Sequence, residues 1–185
     1  MTASIEVDGP VRDAASIVIA APGLTCDDVL VRFEGEIYRL CLQLAANRSD
    51  ADELYGELVA RACQTFGELD ETADLRAWLF NIATGAFLRR HRPEAGDRPL
   101  EPDRSIAPFE AARGQGRFDG TDTVREVDGF VRNLPPKQRV ALVLRKYHGF
   151  GYEEIGKSLN ASESAARAMT HSALRTLVEH FGDRV

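Results

Sequence analysis

Between Gly151 and Leu177 the chain reads GYEEIGKSLNASESAARAMTHSALRTL, and its chemistry-bearing side chains are hydrogen-bonding or cationic. Ser162, Glu163, Ser164, Arg167 and His171 fall early in the second helix of an apparent helix-turn-helix. In that motif the early residues of the second helix face base edges, and flanking cations hold phosphate. A carboxylate such as Glu163 accepts from a cytosine amino group, and a guanidinium such as Arg167 pairs with guanine. Lys137, Arg139, Arg145, Lys146 and Arg175 are the flanking candidates for the backbone, a solvated face being the other reading of each. A second constellation lies upstream, where Trp78, Phe80 and Phe87 interleave with Arg76, Arg89, Arg90 and Arg92. Rings and cations in alternation suit a single strand, each stacked base being worth about 1–3 kcal/mol. Trp78 falls on an apolar helix stripe and reads as core. Phe80 and Phe87 lie off that stripe and are the better stacking candidates, with packing against a neighbouring helix as their other reading.

Helices must position both sets, because apolar residues recur at helical spacing and no alternating strand pattern occurs. Thr25 with Asp28 forms a capping box, followed by a stripe of Phe33, Ile37, Leu40, Cys41 and Leu44. Ser49 and Asp50 open a second helix carrying Leu54, Leu58 and Ala62, with Tyr55, Val59 and Cys63 beside them. Thr72 or Asp74 opens a third, whose stripe is Leu75, Trp78, Leu79, Ile82 and Ala86; it ends in cations that suit a helix C-terminus. Residues 93–120 hold four prolines and four glycines without apolar period and read as a linker. Thr123 with Glu126 caps the next helix. Pro136 opens another in its first turn, and Gly149 closes it. Ile155 and Leu159 turn the following short helix inward, Asn160 suits the left-handed turn residue, and Ser162 caps the last helix. The expectation is an all-α chain: residues 1–24 a flexible extension, 25–92 and 123–185 two small helical domains, 93–122 a flexible tether.

Composition narrows the function classes. The chain has 185 residues, 28% charged and 44% hydrophobic, a balance typical of a soluble globular protein. Its longest apolar run, AASIVIAA from Ala14, is too short to cross a bilayer, and the expected location is the cytoplasm, without membrane insertion. Net charge is −6, but residues 1–92 carry −6, 93–122 carry −3 and 123–185 carry +3, so only the C-terminal part is basic. Cys26, Cys41 and Cys63 form no CxxC pair, and Cys41 and Cys63 read as buried reduced thiols. No metal-ligand cluster, phosphate-binding glycine loop or nucleophile-base pair stands out. No cofactor, no metal, no small-molecule substrate and no enzymatic activity are expected.

Taken in order, DADELYGELVARACQTF, LRAWLFNIATGAFLRRHR and, beyond the linker, LPPKQRVALVLRKYHGFGYEEIGKSL resemble the extracytoplasmic-function sigma factors of bacteria. These are members of the main sigma family with regions 2 and 4 only, and the resemblance covers roughly residues 26–92 and 123–181. It implies binding to core RNA polymerase and promoter DNA, and control by an anti-sigma factor. On this resemblance Asp52, Glu53 and Glu57 dock on the polymerase clamp. Arg76, Phe80, Phe87, Arg89, Arg90 and Arg92 lie in the segment that opens the −10 element and holds the exposed strand. Lys137, Arg139, Tyr152, Ser162, Glu163, Ser164, Arg167, His171 and Arg175 fall in the region that reads the −35 element.

The sequence also departs from the family. Gly56 stands where Gln is usual, Thr84-Gly85 replaces a polar pair in the third helix, and Met169, Ser172 and Leu174 occupy recognition-helix places that are often basic. Thr170 takes the place of an inward leucine, so Met169 is the expected buried residue. Fewer phosphate contacts imply a −35 reader that leans on tethering to polymerase. Two alternatives stay open: a sigma-like regulator without promoter melting that binds an anti-sigma factor, and a stand-alone helix-turn-helix DNA-binding regulator.

Overall fold

The computed structural model describes residues 24–70, 72–91 and 120–181, with the backbone alone for 120–125. Seven α-helices and one 3-10 turn make up the described part, and no strand occurs in it. They are α1 (Cys26–Leu44), α2 (Arg48–Thr65), the 3-10 turn Phe66–Glu68, α3 (Leu75–Arg90), α4 (Gly120–Arg132), α5 (Pro136–Tyr147), α6 (Tyr152–Leu159) and α7 (Glu163–Phe181). The N-terminal extension and most of the expected tether lie outside the described residues.

Local chemistry sets the helix ends. The Thr25 hydroxyl accepts from the Asp28 amide while the Asp28 carboxylate accepts from the Thr25 amide at 3.0 Å, closing the capping box. Asn47, two residues before the Ser49 start expected from the sequence, caps α2 by accepting from the Asp50 amide at 2.9 Å. Asp74 caps α3 by accepting from Ala77. Helix α4 starts at Gly120, three residues before the Thr123 cap expected from the sequence. Pro136 takes the first position of α5, and Gly149 follows its end at φ +73°, a conformation that favours glycine.

Helix α3 is the centre of the fold. Leu75, Leu79, Ala83 and Ala86 fill the unit it builds with α1 and α2, together with Phe33, Ile37, Leu40, Leu54 and Leu58. The other side of α3 meets α5 and α6. The apolar surface of α3 is therefore not one stripe, and Phe80 and Phe87 are buried on its second face, 0% and 1% exposed. Trp78 is half-buried, tilted against Phe66 at 6.0 Å between centroids.

The two helical groups pack directly on each other. The Arg76 guanidinium, from α3, donates to the Glu36 carboxylate (Nε to Oε1 2.9 Å) and to the His148 carbonyl at 2.9 Å. It also lies over the rings of Phe80 and Phe150, at 4.8 and 4.5 Å. The Phe80 and Phe150 centroids are 4.8 Å apart. The His148 ring, 7% exposed, sits 2.8 Å from the Gln43 amide oxygen. Ser158 of α6 donates to Asn81 of α3. Arg139 of α5 donates to the Leu44 carbonyl at the end of α1 (2.8 Å) and to the Arg132 carbonyl at the end of α4. A cation placed on the last carbonyls of two helices suits both macrodipoles.

Candidate nucleic-acid interface

The C-terminal candidate face is built by α6, its turn and α7. Asn160 ends α6 in the left-handed conformation, φ 49° and ψ 54°, with its amide bonded to the Lys157 carbonyl. The turn is tight at Gly156, where a Cβ would approach the Ala161 carbonyl oxygen to 2.8 Å. Ala161 donates its amide to the Gly156 carbonyl at 2.9 Å, and the Ser162 hydroxyl accepts from the Ala165 amide at 3.2 Å. These contacts fix where α7 starts. Ala166, Thr170 and Ala173 point inward. Thr170, not Met169, is the fully buried residue: its hydroxyl donates to the Ala166 carbonyl, so the polar group is satisfied without leaving the helix, and Met169 packs at the margin.

Ser162, Glu163, Ser164, Arg167, His171 and Arg175 are all exposed, and the last three line up at four-residue spacing on one face. Glu163 and Arg167 pair at 3.0 Å and Arg175 with Glu179 at 3.7 Å, exposed pairs that cost little to exchange for a phosphate or a base. Tyr152 is clamped between the guanidiniums of Arg145 and Arg167, at 4.7 and 4.4 Å from its ring, so it positions Arg167 rather than standing free. Lys137 is half-buried at the start of α5. Arg139 departs from expectation: at 7% exposure, spent on backbone carbonyls and lying 5.3 Å from the Phe87 ring, it is a structural anchor with no surface for phosphate. Burial, and then the neighbouring Arg132 charge, pull its pKa down to about 10, and its Nε is buried without a partner.

The N-terminal set is divided. Phe80 and Phe87 present no surface to a base, because the second face of α3 is covered by Phe150, His148 and Arg139. Arg76 is likewise committed to Glu36 and the His148 carbonyl. Glu36 is held at about 2, first by the His148 ring and then by Arg76, against burial that would raise it. Arg89 and Arg90 remain at the surface, where both bond to Glu57, at 2.7 and 3.1 Å. Arg90 also lies 3.5 Å from Glu53. Arg89 and then Arg90 hold the Glu57 carboxyl below its usual range. Two residues expected to meet polymerase thus neutralise two expected to meet DNA. Asp52 is exposed and accepts from the Tyr38 hydroxyl. Arg92 lies outside the described residues. Gln43, Asn81, His148 and Ser158, all at the seam between the helical groups, carried no sequence signal, since their partners lie 77 and 105 residues away.

Cys41 is fully buried, its thiol pushed up to about 12 by burial. Cys63 departs from expectation and is exposed, because it stands off the Leu54–Leu58–Ala62 stripe of α2. Among the described residues no cluster of His, Cys, Asp and Glu could hold a metal, and no helix is long and apolar enough to cross a membrane.

Comparison with known proteins agrees with this architecture. The family model for Sigma-70 region 2 matches residues 30–95 and that for Sigma-70, region 4 matches residues 125–177, together well over half of the chain. The ECF RNA polymerase sigma factor SigE of Mycolicibacterium smegmatis is 27% identical over 172 residues, spanning 92% of this chain and 66% of its own length. SigM of Bacillus subtilis is 24% identical over 157 residues, 83% of this chain and 93% of that protein. The fold resembles that of the sigma factor RpoE solved in complex with the anti-sigma factor NepR from Bartonella quintana. Its TM-score is 0.64 at 16% identity, covering 86% of this chain and 98% of that one. It also resembles CnrH, solved with the cytosolic domain of CnrY, at TM-score 0.61 and 15% identity, covering 86% and 89%. Sigma factors are DNA-binding regulators rather than enzymes, and with region 2 and region 4 matched in that order, this chain belongs to the extracytoplasmic-function sigma factors of the sigma-70 family.

Proposed function

We propose that this protein is an alternative sigma factor that binds core RNA polymerase in the cytoplasm, directs it to specific promoters and is held in check by an anti-sigma factor. The observation that carries the reading is the pairing of a region 2 with a region 4 whose α7 face is open. Ser162, Glu163, Ser164, Arg167 and His171 stand exposed behind a left-handed turn that fixes their helix. Region 4 reads the −35 element with that face. Region 2 docks on polymerase through the surface carrying Asp52, Glu53 and Glu57, and takes the −10 strand with α3 and the connection before it.

In the packed arrangement the α3 part of that job is covered. Arg76, Phe80 and Phe87 face the C-terminal helices. The two helical groups therefore separate when the chain loads onto polymerase. Arg89 and Arg90 then exchange Glu57 for other partners. Anti-sigma control follows from the family and from the likeness to RpoE, solved with the anti-sigma factor NepR.

The reading is tested by overproducing the protein and sequencing the transcripts that rise. New start sites preceded by a shared pair of boxes are the expected result. Co-purification with an anti-sigma partner, with no new start site and no complex with core enzyme, would replace it with a sigma-like regulator that does not melt promoters.

A further inference from the structure

The first residue of α1 and the last turn of α2 bring two thiols together. The Cys26 and Cys63 sulfurs are 3.5 Å apart, although 37 residues separate them in the chain. Cys63 is exposed and Cys26 is half-buried beside it. Cys41, wholly buried in the core, takes no part. We propose that Cys26 and Cys63 are a site of reversible oxidation, a vicinal dithiol that a hydroperoxide converts to an intramolecular disulfide.

The two sulfurs differ in a way that orders the steps. Cys26 is pushed up to about 11, first by burial, then by the Cys63 sulfur and by Asp27 beside it. The thiolate is the nucleophile in such chemistry, so the exposed Cys63 attacks first. Its sulfur bonds to one peroxide oxygen, the O–O bond breaks and the other oxygen leaves as water or an alcohol, giving a sulfenic acid on Cys63. The Cys26 sulfur then attacks the Cys63 sulfur. The S–S bond forms, the S–O bond breaks, and hydroxide leaves as water with the Cys26 proton. Two thiols and one hydroperoxide give a disulfide, an alcohol or water, and a further water. The sulfurs need to approach by only about 1.5 Å to reach bonding distance.

The bond ties the start of α1 to the end of α2, immediately before the Phe66–Glu68 turn whose Phe66 packs on Trp78. Oxidation therefore stiffens the connection that leads into α3. The chemistry is independent of the promoter-reading assignment and is tested without transcription.

The test uses the full chain in its native buffer with hydrogen peroxide as the probe, then alkylation with N-ethylmaleimide and non-reducing peptide mapping. The expected product is monomeric, with the Cys26 peptide joined to the Cys63 peptide in most chains and released by dithiothreitol. The Cys41→Ala variant gives the same link. The thermal midpoint of the oxidised chain rises by roughly 5–10 °C, because the bond closes a long loop in the unfolded chain. Cys26 alkylated while Cys63 carries a sulfinic acid would overturn the proposal, as would cross-linking only between chains, or a Cys26–Cys63 link that forms only in urea. The wild-type map decides the matter even if a variant folds poorly.

Discussion

The two candidate DNA faces of this molecule are in opposite conditions. On α7 the side chains that could read bases stand in water, held by a helix whose buried side is small: Ala166, Thr170 and Ala173. On α3 the rings and the first arginine that could hold a single strand are inside, sealed by Phe150, His148 and Arg139. The difference teaches that exposure follows how many neighbours a helix has. Helix α7 lies at the margin and leaves one face free. Helix α3 lies in the centre, and its polar and aromatic residues are drawn into the packing. The same residue types therefore serve recognition at one place and cohesion at the other.

That contrast predicts how substitutions divide. Phe80→Ala removes a ring with no exposed surface and should cost about 3–5 kcal/mol of stability, read by denaturant unfolding. A cost below ~1 kcal/mol would mean the second face of α3 is open in solution. Arg139→Gln strips carbonyl contacts from the ends of α1 and α4 and should cost about 2–3 kcal/mol. Its loss should lower −35 affinity no more than it lowers the folded fraction.

Acid should loosen the seam next. The Glu36 carboxyl is at about 2 when folded against an ordinary 4.5, so its contribution is fully present above pH 4.5 and is lost as pH falls towards 2. A pH series of unfolding midpoints should show this decline in the parent and a flatter one in Glu36→Gln. Gly56→Ala acts in the other direction. The site is exposed, inside α2, with nothing within 4 Å of the added Cβ, and the variant should gain about 0.5–1 kcal/mol. Arg167→Ala should change stability least, within about 0.5 kcal/mol. It should instead weaken −35 binding, and if the guanidinium touches phosphate, reduce the log–log salt slope by about 0.9.

Much of this arrangement was legible in the sequence, and the parts that were not share a cause. The caps at Thr25 and Asp74, the Pro136 start, the left-handed Asn160 and the Ser162 cap are local, and each lies within a few residues of what it controls. The exposed residues at the start of α7 followed from their place in the helix-turn-helix motif. What failed was anything set by a neighbour distant in sequence. Phe80 and Phe87 lie off the main stripe of α3, and nothing local reveals that a second face will be covered from residues 139–150. Arg139 reads as a phosphate ligand because any lone arginine in a basic segment does; its partners, Leu44 among them, are known only once the helices are placed. Met169 and Thr170 show a subtler limit. Hydropathy favours methionine inside, but threonine can satisfy its hydroxyl on its own helix. Cys63 was misread because a residue beside the apolar stripe was counted as on it.

The central claim is that this sigma factor holds region 2 and region 4 together when free and parts them when it loads onto polymerase. The most direct measurement places a donor and an acceptor dye, through unnatural amino acids, at the exposed Gln64 and Ser164. Energy transfer is followed while core RNA polymerase is added. The account predicts a single high-transfer state in the free chain that falls to a low-transfer state at one equivalent of core enzyme. Transfer that is already low in the free chain, or that does not change at saturating core enzyme, would contradict it.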